Sequence, residues 1–118
     1  MSRNRRAAET RGRRGETLAA WYLRLHGWRI LDRRVKTPRG EIDLVARRGR
    51  TVCFVEVKWR ASAEDRDLAI DEYRLRRVAQ AAEAVAPRYV RHGETQRIDV
   101  LLLAPRVFPR HIRNAWMP

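Results

Sequence analysis

Lysine is nearly missing from this chain: of its 27 basic residues only Lys36 and Lys58 are lysines, and all the others are arginines. There is a single cysteine, Cys53, so no internal disulfide can form; flanked by Val52 and Phe54, it reads as a small buried hydrophobe rather than a reactive thiol. No apolar run approaches the roughly 20 residues that a membrane span needs, and the arginine-rich start leads into no hydrophobic signal core, so a cytoplasmic location is expected. His26, His92 and His111 lie far apart, with no HExxH or Cys/His grouping, which argues against a zinc site. Acidic residues are outnumbered, 14 against 27, which leaves a net charge of +13 on 118 residues. A small domain this basic repels itself unless an anionic partner offsets the charge. Nucleic acid is the first candidate, ahead of an anionic membrane or an acidic protein.

With 44% apolar residues, residues 15–118 are expected to form one domain around one modest core. Residues 1–14, MSRNRRAAETRGRR, carry six arginines and no apolar periodicity, and read as a flexible basic arm. From Gly15 to His26, Leu18, Trp21, Tyr22 and Leu25 recur at helical spacing as the expected buried stripe, with Gly27 as the stop. Glu16 falls instead with Ala19, Ala20 and Leu23 on a second face of small residues. Strand-like runs follow at 28–35, 41–47 and 51–58, the last two joined by a tight turn centred on Arg48-Gly49. A long helix comes next, with Leu75, Val78, Ala79, Ala82 and Val85 as its stripe and Pro87 closing it. Residues 97–104 read as a central strand covered on both faces, and 111–116 as a short last element. The order is α-β-β-β-α-β: an α/β fold with a mixed sheet flanked by helices, the long helix permitting a parallel crossover between the third and fourth strands. The four tryptophans read as core or rim packing.

The chemistry concentrates in FVEVKWR, residues 54–60. Side chains alternate along a strand, so Glu56 and Lys58 share a face with Val52 and Phe54. With a hairpin loop of two or four residues, Asp43 falls opposite Phe54 on that face, a diagonal neighbour of Glu56; a three-residue loop would separate them. Two carboxylates and an ammonium on a half-buried face are costly unless something organises them. Mg²⁺ or Mn²⁺ would do so, because such a hard cation prefers oxygen ligands, one or two of them carboxylates, alongside waters and substrate phosphates. It can activate water and neutralise charge on a phosphodiester. Lys58 could orient or deprotonate that water, or steady developing negative charge; unlike arginine, it can lose its proton. The competing reading is a solvated Glu56–Lys58 ion pair, worth roughly 0–1 kcal/mol.

GEIDLVARRGRTVCFVEVKWRAS resembles the signature of the YraN-like family of small bacterial proteins, whose typical wording is close to GEIDLIA…FVEVKTR. GETLAAWYLRLHGWRIL is similar to that family's first helix and strand, RIDVLLL to its late strand and HIRNAW to its tail, so the resemblance covers most of residues 12–116. It implies a restriction-endonuclease-like core with the PD-(D/E)-x-K nuclease pattern, similar to archaeal-type Holliday-junction resolvases. It further implies that Asp43 and Glu56 bind the metal, with the backbone carbonyl of Val57, that Lys58 is the motif lysine, and that Glu16 completes the site. Ile42 stands where the wider pattern has proline, and Arg74 where many relatives have lysine.

Arg60, Arg74, Arg76 and Arg77 are the candidate nucleic-acid contacts, and Arg60 is equally suited to pairing with an acid. Glu41 could serve as a further ligand, Gln80 could touch the site or the DNA, and Asp99 reads as a buried structural carboxylate with a catalytic role as the alternative. The expected function is a Mg²⁺-dependent endonuclease acting on DNA, branched or otherwise structured, with a homodimer suited to a four-way junction. A non-catalytic nucleic-acid-binding adaptor on the same fold is the alternative, and a metal-binding partner for an acidic protein the third.

Overall fold

The computed structural model describes residues 15–64 and 71–116. The basic arm expected at 1–14 lies outside the described residues. Helix α1 spans 15–25. Strands β1 (Arg29–Thr37), β2 (Gly40–Arg48) and β3 (Thr51–Trp59) follow, then helix α2 (Glu72–Tyr89), β4 (Thr95–Leu103) and the short β5 (Arg110–Ile112). The sheet runs β1-β2-β3-β4-β5, antiparallel throughout except for the parallel pair β3–β4 on either side of α2. The mixed sheet expected from the order of elements is present, with the late strand inside it. Among the described residues no helix is long and apolar enough to cross a membrane.

The two sides of the sheet bury separate apolar layers. Against α2 lie Val45, Val52, Phe54, Ile98, Val100 and Leu102, packed on Leu75, Val78, Ala81, Ala82 and Val85. Against α1 lie Leu44, Ala46, Cys53, Val55, Leu101 and Leu103, packed on Ala19, Ala20 and Leu23. Cys53 is buried, as its neighbours implied. Asp71 caps α2, its side chain accepting from the Tyr73 N–H. The helix runs two residues past Pro87 rather than closing there. Proline removes only its own N–H from the last turn, and the Val90 N–H still reaches the Ala86 carbonyl at 2.8 Å.

The face of α1 that is buried is not the expected one. Of the expected stripe, Leu18, Trp21 and Leu25 are 50%, 58% and 80% exposed and Tyr22 alone packs against the core, half-buried, while Ala19, Ala20 and Leu23 are sealed. Small side chains let the helix lie close on the sheet; a Cβ added at Gly15 would already touch Leu103, Trp59 and Val57 at 3.7–3.9 Å. Trp21 is therefore neither core nor rim, Trp28 is buried, and Trp59 and Trp116 are half-buried. Gly27 ends the helix as expected, at φ +87°, with the Trp28 N–H reaching back to the Leu23 carbonyl and the Gly27 N–H to that of Arg24.

The β2–β3 turn is also displaced. Arg48 pairs with Thr51, so the loop is Gly49-Arg50, not Arg48-Gly49, with Gly49 at φ +60°. The register moves by two residues relative to the expected one, which preserves the faces and brings Asp43 level with Glu56 instead of Phe54.

Candidate functional site

The site lies where the β2–β3 ladder stops. Pairing runs from Arg48↔Thr51 to Leu44↔Val55 and goes no further. Ile42 packs in the α2 layer and Leu44 in the α1 layer, although strict alternation would put both in one, so β2 twists away from β3 at Asp43. The opened position is closed by a side chain: Asp43 Oδ2 accepts from the Val57 N–H at 2.7 Å.

Beyond Asp43 the α2-side face of β3 turns from apolar to charged. Val52 and Phe54 give way to Glu56 and Lys58, which are only 4% and 6% exposed. Lys58 Nζ stands 3.2 Å from Glu56 Oε1, and Arg74 Nη2, arriving from α2, stands 3.3 Å from the same oxygen. Burial this deep removes the solvated-ion-pair reading of Glu56 and Lys58. These bonds use Asp43 Oδ2 and Glu56 Oε1, not Asp43 Oδ1 or Glu56 Oε2.

A pocket of about 520 Å³ opens between this end of the sheet and the first turns of α2, lined by Gly40, Glu41, Asp43, Glu56, Tyr73, Arg74, Arg77 and Val78. Gly40 makes room for the helix: at φ +156° it carries no side chain, and a Cβ there would meet the Arg77 carbonyl at 3.4 Å.

Burial, then the charge of Glu56, push the Asp43 carboxyl up to about 7, against the pull of the Val57 N–H, with Glu16 and Glu41 adding to the rise. Burial also lowers Lys58 below the ordinary lysine range, with Arg74 and Arg60 acting in the same direction and Glu56 opposing.

Glu16 reaches the same end of the sheet from α1. Its Oε2 accepts from Arg34 Nε at 2.6 Å, and its charge is felt at Asp43. Of the expected nucleic-acid contacts, Arg74 and Arg77 line the pocket, whereas Arg76 is exposed outside it. Arg60 donates from Nη1 to the Trp59 carbonyl at 2.8 Å. Glu41 lines the pocket; Gln80 does not. Val57 meets Asp43 through its N–H.

Asp99 sits elsewhere and is fully buried. It takes Arg97 Nε at 3.0 Å, His111 Nε2 at 2.6 Å and the Asn114 N–H at 2.9 Å, which ties β5 and the following turn to β4. Burial alone would raise its pKa, but hydrogen bonds from His111, Cys53, Arg97 and Asn114 outweigh it and hold the carboxyl at about 2. Asp99 is the buried structural carboxylate that the sequence suggested.

Sequence reasoning missed Arg34, Gly40 and Tyr73. Gly40 precedes Glu41 at a strand start, a visible cue for close backbone approach. Arg34 is one arginine among many, and nothing in its neighbours marks it.

The profile of the uncharacterised protein family UPF0102 matches residues 15–103. A UPF0102 protein of Sphingopyxis alaskensis is 66% identical over 114 residues, covering 97% of this chain and 98% of that one. A second, from Erythrobacter litoralis, is 65% identical over 114 residues with the same coverage. Among solved structures, the chain is similar to Hjc of Archaeoglobus fulgidus, a Holliday junction resolvase from an archaeal hyperthermophile: TM-score 0.55, 23% identity, 87% of this chain and 72% of that one covered. At that identity the likeness establishes the fold, the one expected from the resolvase resemblance. The sequence match and the full-length relatives together place this chain in the UPF0102 family, the YraN-like family whose motif its second and third strands carry.

Proposed function

We propose that this protein is a Mg²⁺- or Mn²⁺-dependent endonuclease that hydrolyses phosphodiesters in branched or otherwise structured DNA. The observation that carries the reading is the meeting of Asp43 and Glu56 in the lining of a pocket that also presents Arg74 and Arg77, with Lys58 Nζ 3.2 Å behind Glu56 Oε1. Acid, acid and lysine stand where a cation can be held, and the arginines stand where a phosphate backbone can be neutralised.

The donor set fits the cation. Two desolvated carboxylates, one of them pushed toward neutrality by its burial and then by the charge of the other, form a site that a divalent ion relieves. Among the described residues no three His, Cys, Asp or Glu side chains converge as a metal cage; Mg²⁺ needs only one or two carboxylates when water and substrate phosphate supply the rest. Asp43, Glu56 and the Val57 carbonyl would hold it. When bound, such an ion makes water more acidic and neutralises charge at the phosphodiester.

The chain's own groups do the remainder. Asp43 is fixed by the Val57 N–H, so its other oxygen presents at a set angle. Lys58, with its pKa lowered, takes a proton from the attacking water or stands beside the developing negative charge. Arg74 and Arg77 orient the backbone. A four-way junction offers two equivalent strands, so a symmetric homodimer goes with that substrate.

The test uses labelled linear, flapped and four-way DNA with Mg²⁺ or Mn²⁺, alongside Asp43→Ala and Lys58→Ala. Cleavage lost in both variants supports the enzyme. Tight binding with no cleavage of any substrate supports the second reading, an adaptor that binds nucleic acid without cutting it. One observation favours that reading: Lys58 and Arg74 already neutralise Glu56 Oε1.

A further inference from the structure

Three non-glycine residues have positive φ among those described: Arg34, Arg106 and Asn114. Arg106 and Asn114 lie in turns, where such conformations are common; Arg34, at φ 50°, lies inside β1. A left-handed arginine within a strand persists only where its surroundings over-determine it, and such strain collects at functional sites.

The register shows what the conformation achieves. Arg33 pairs with Leu44 and Val35 with Ile42, which sets Arg34 across from Asp43. Asp43 is the residue at which β2 leaves β3, and Arg34, across from it, takes a left-handed conformation although the pairing on either side of it stays in register; the register shift of β1 lies earlier, between Ile30 and Asp32. The Arg34 guanidinium engages Glu16 at 2.6 Å, and the charges of Glu41 and Asp43 also act on it. Glu16 comes from α1, on the other side of the sheet from α2 and Arg74. Among the described residues, Arg34 is the hydrogen-bond and ion-pair partner that ties the Glu16 carboxylate to this end of the sheet.

We propose that Arg34, held in a left-handed conformation opposite Asp43, is the positioning residue that anchors Glu16 and the first described turn of α1 against the carboxylate site. The inference rests on the nuclease reading for its catalytic consequence, but not for its structural one. The partners of Glu56 are Lys58 and Arg74 and that of Arg34 is Glu16, so Arg34 acts through Glu16 and Asp43 and is not a catalytic residue.

Arg34→Gly separates the two roles of the position, because glycine adopts this φ without steric cost and lacks the guanidinium. The melting temperature of Arg34→Gly should stay level or rise, while amide hydrogen exchange in residues 16–20 quickens by about tenfold and that of β3 and β4 does not. Glu16→Ala should give the same local pattern, and the double variant no more than either alone, since one contact is being removed twice. Where the wild type cleaves DNA, kcat of Arg34→Gly should fall by about tenfold or more with KM little changed, and Arg34→Lys should restore part of it. Unchanged exchange in residues 16–20 overturns the proposal, whether or not the protein cuts DNA. Additive losses in the double variant, or a raised KM with kcat intact, also overturn it, because Arg34 would then be binding DNA directly. A wild type that cleaves nothing while the exchange pattern holds refutes the nuclease reading and leaves the anchor standing.

Discussion

Asp43 Oδ2 accepts from the Val57 N–H at 2.7 Å, filling with a side chain the place where the next β2–β3 ladder bond would lie. The strand pair is thus closed by a group that can also be ionised. Whatever alters the charge of Asp43 acts on the site and on the sheet together.

Asp43→Asn should be more stable than the wild type at neutral and alkaline pH. Asp43 has its pKa raised from the ordinary 3.8 to about 7. Across that window the folded state holds a proton that the unfolded state has lost, so stability falls as pH rises through it. Asparagine removes this penalty and can still accept from Val57. The gain should be on the order of 2–4 kcal/mol at about pH 8 and vanish near pH 4, by denaturant melts. Mg²⁺ should stabilise the wild type at alkaline pH and leave the variant unmoved.

Lys58→Arg keeps the charge and the Glu56 partner but cannot give up a proton. If Lys58 handles a proton, cleavage should drop by roughly 10²–10⁴-fold with DNA affinity retained. Wild-type activity should climb with pH as Lys58, lowered below its ordinary range, deprotonates. Equal rates in wild type and Lys58→Arg would reduce the lysine to a charge beside the site.

Asp99→Asn tests stability away from the site. Removing one partner of a buried ionic network costs about 3–5 kcal/mol, and Arg97 and His111 would both lose their anion. Because the folded pKa of Asp99 is lowered to about 2 from the ordinary 3.8, its contribution is complete above the higher value and is lost as pH falls through the lower one. The wild type should therefore lose stability in that acid window and the variant should not, by acid titration of the circular dichroism signal.

Arg77→Ala should reduce the slope of log affinity against log salt by about 1, the signature of one phosphate contact removed. Arg74→Ala should do the same and also free Glu56 Oε1 of one cation. Arg76→Ala should change the slope least, since Arg76 is exposed and is not part of the pocket lining. Equal effects from all three would mean that the charge acts as a diffuse field and the pocket is not the seat of the backbone.

Much of the fold was legible because period-two alternation is written directly into β3: Val52, Phe54, Glu56 and Lys58 share the face predicted for them. The same alternation explains the misplaced turn. A slip of two residues leaves every face intact, so pattern alone could not separate the Arg48-Gly49 centre from Gly49-Arg50. On α1, periodicity found two faces and favoured the larger side chains. Close packing on the sheet selected the smaller ones, a matter of interlayer distance that no helical wheel contains. Asp99 was recognised as buried, but its partners His111 and Asn114 come from beyond β4 and are joined to it only by tertiary structure. Arg34 was invisible because backbone strain leaves no trace in residue type when arginine is the common residue.

The sheet ends in two edges, β1 and the three-residue β5. Open strand edges invite pairing with another chain, and short edges or charged ones discourage it. β1 carries Arg29, Arg33, Arg34 and Lys36, all exposed, along its length. Part of the basic surplus therefore lies along an open edge, where charge discourages one copy from extending the sheet of the next, an effect that requires no nucleic-acid partner.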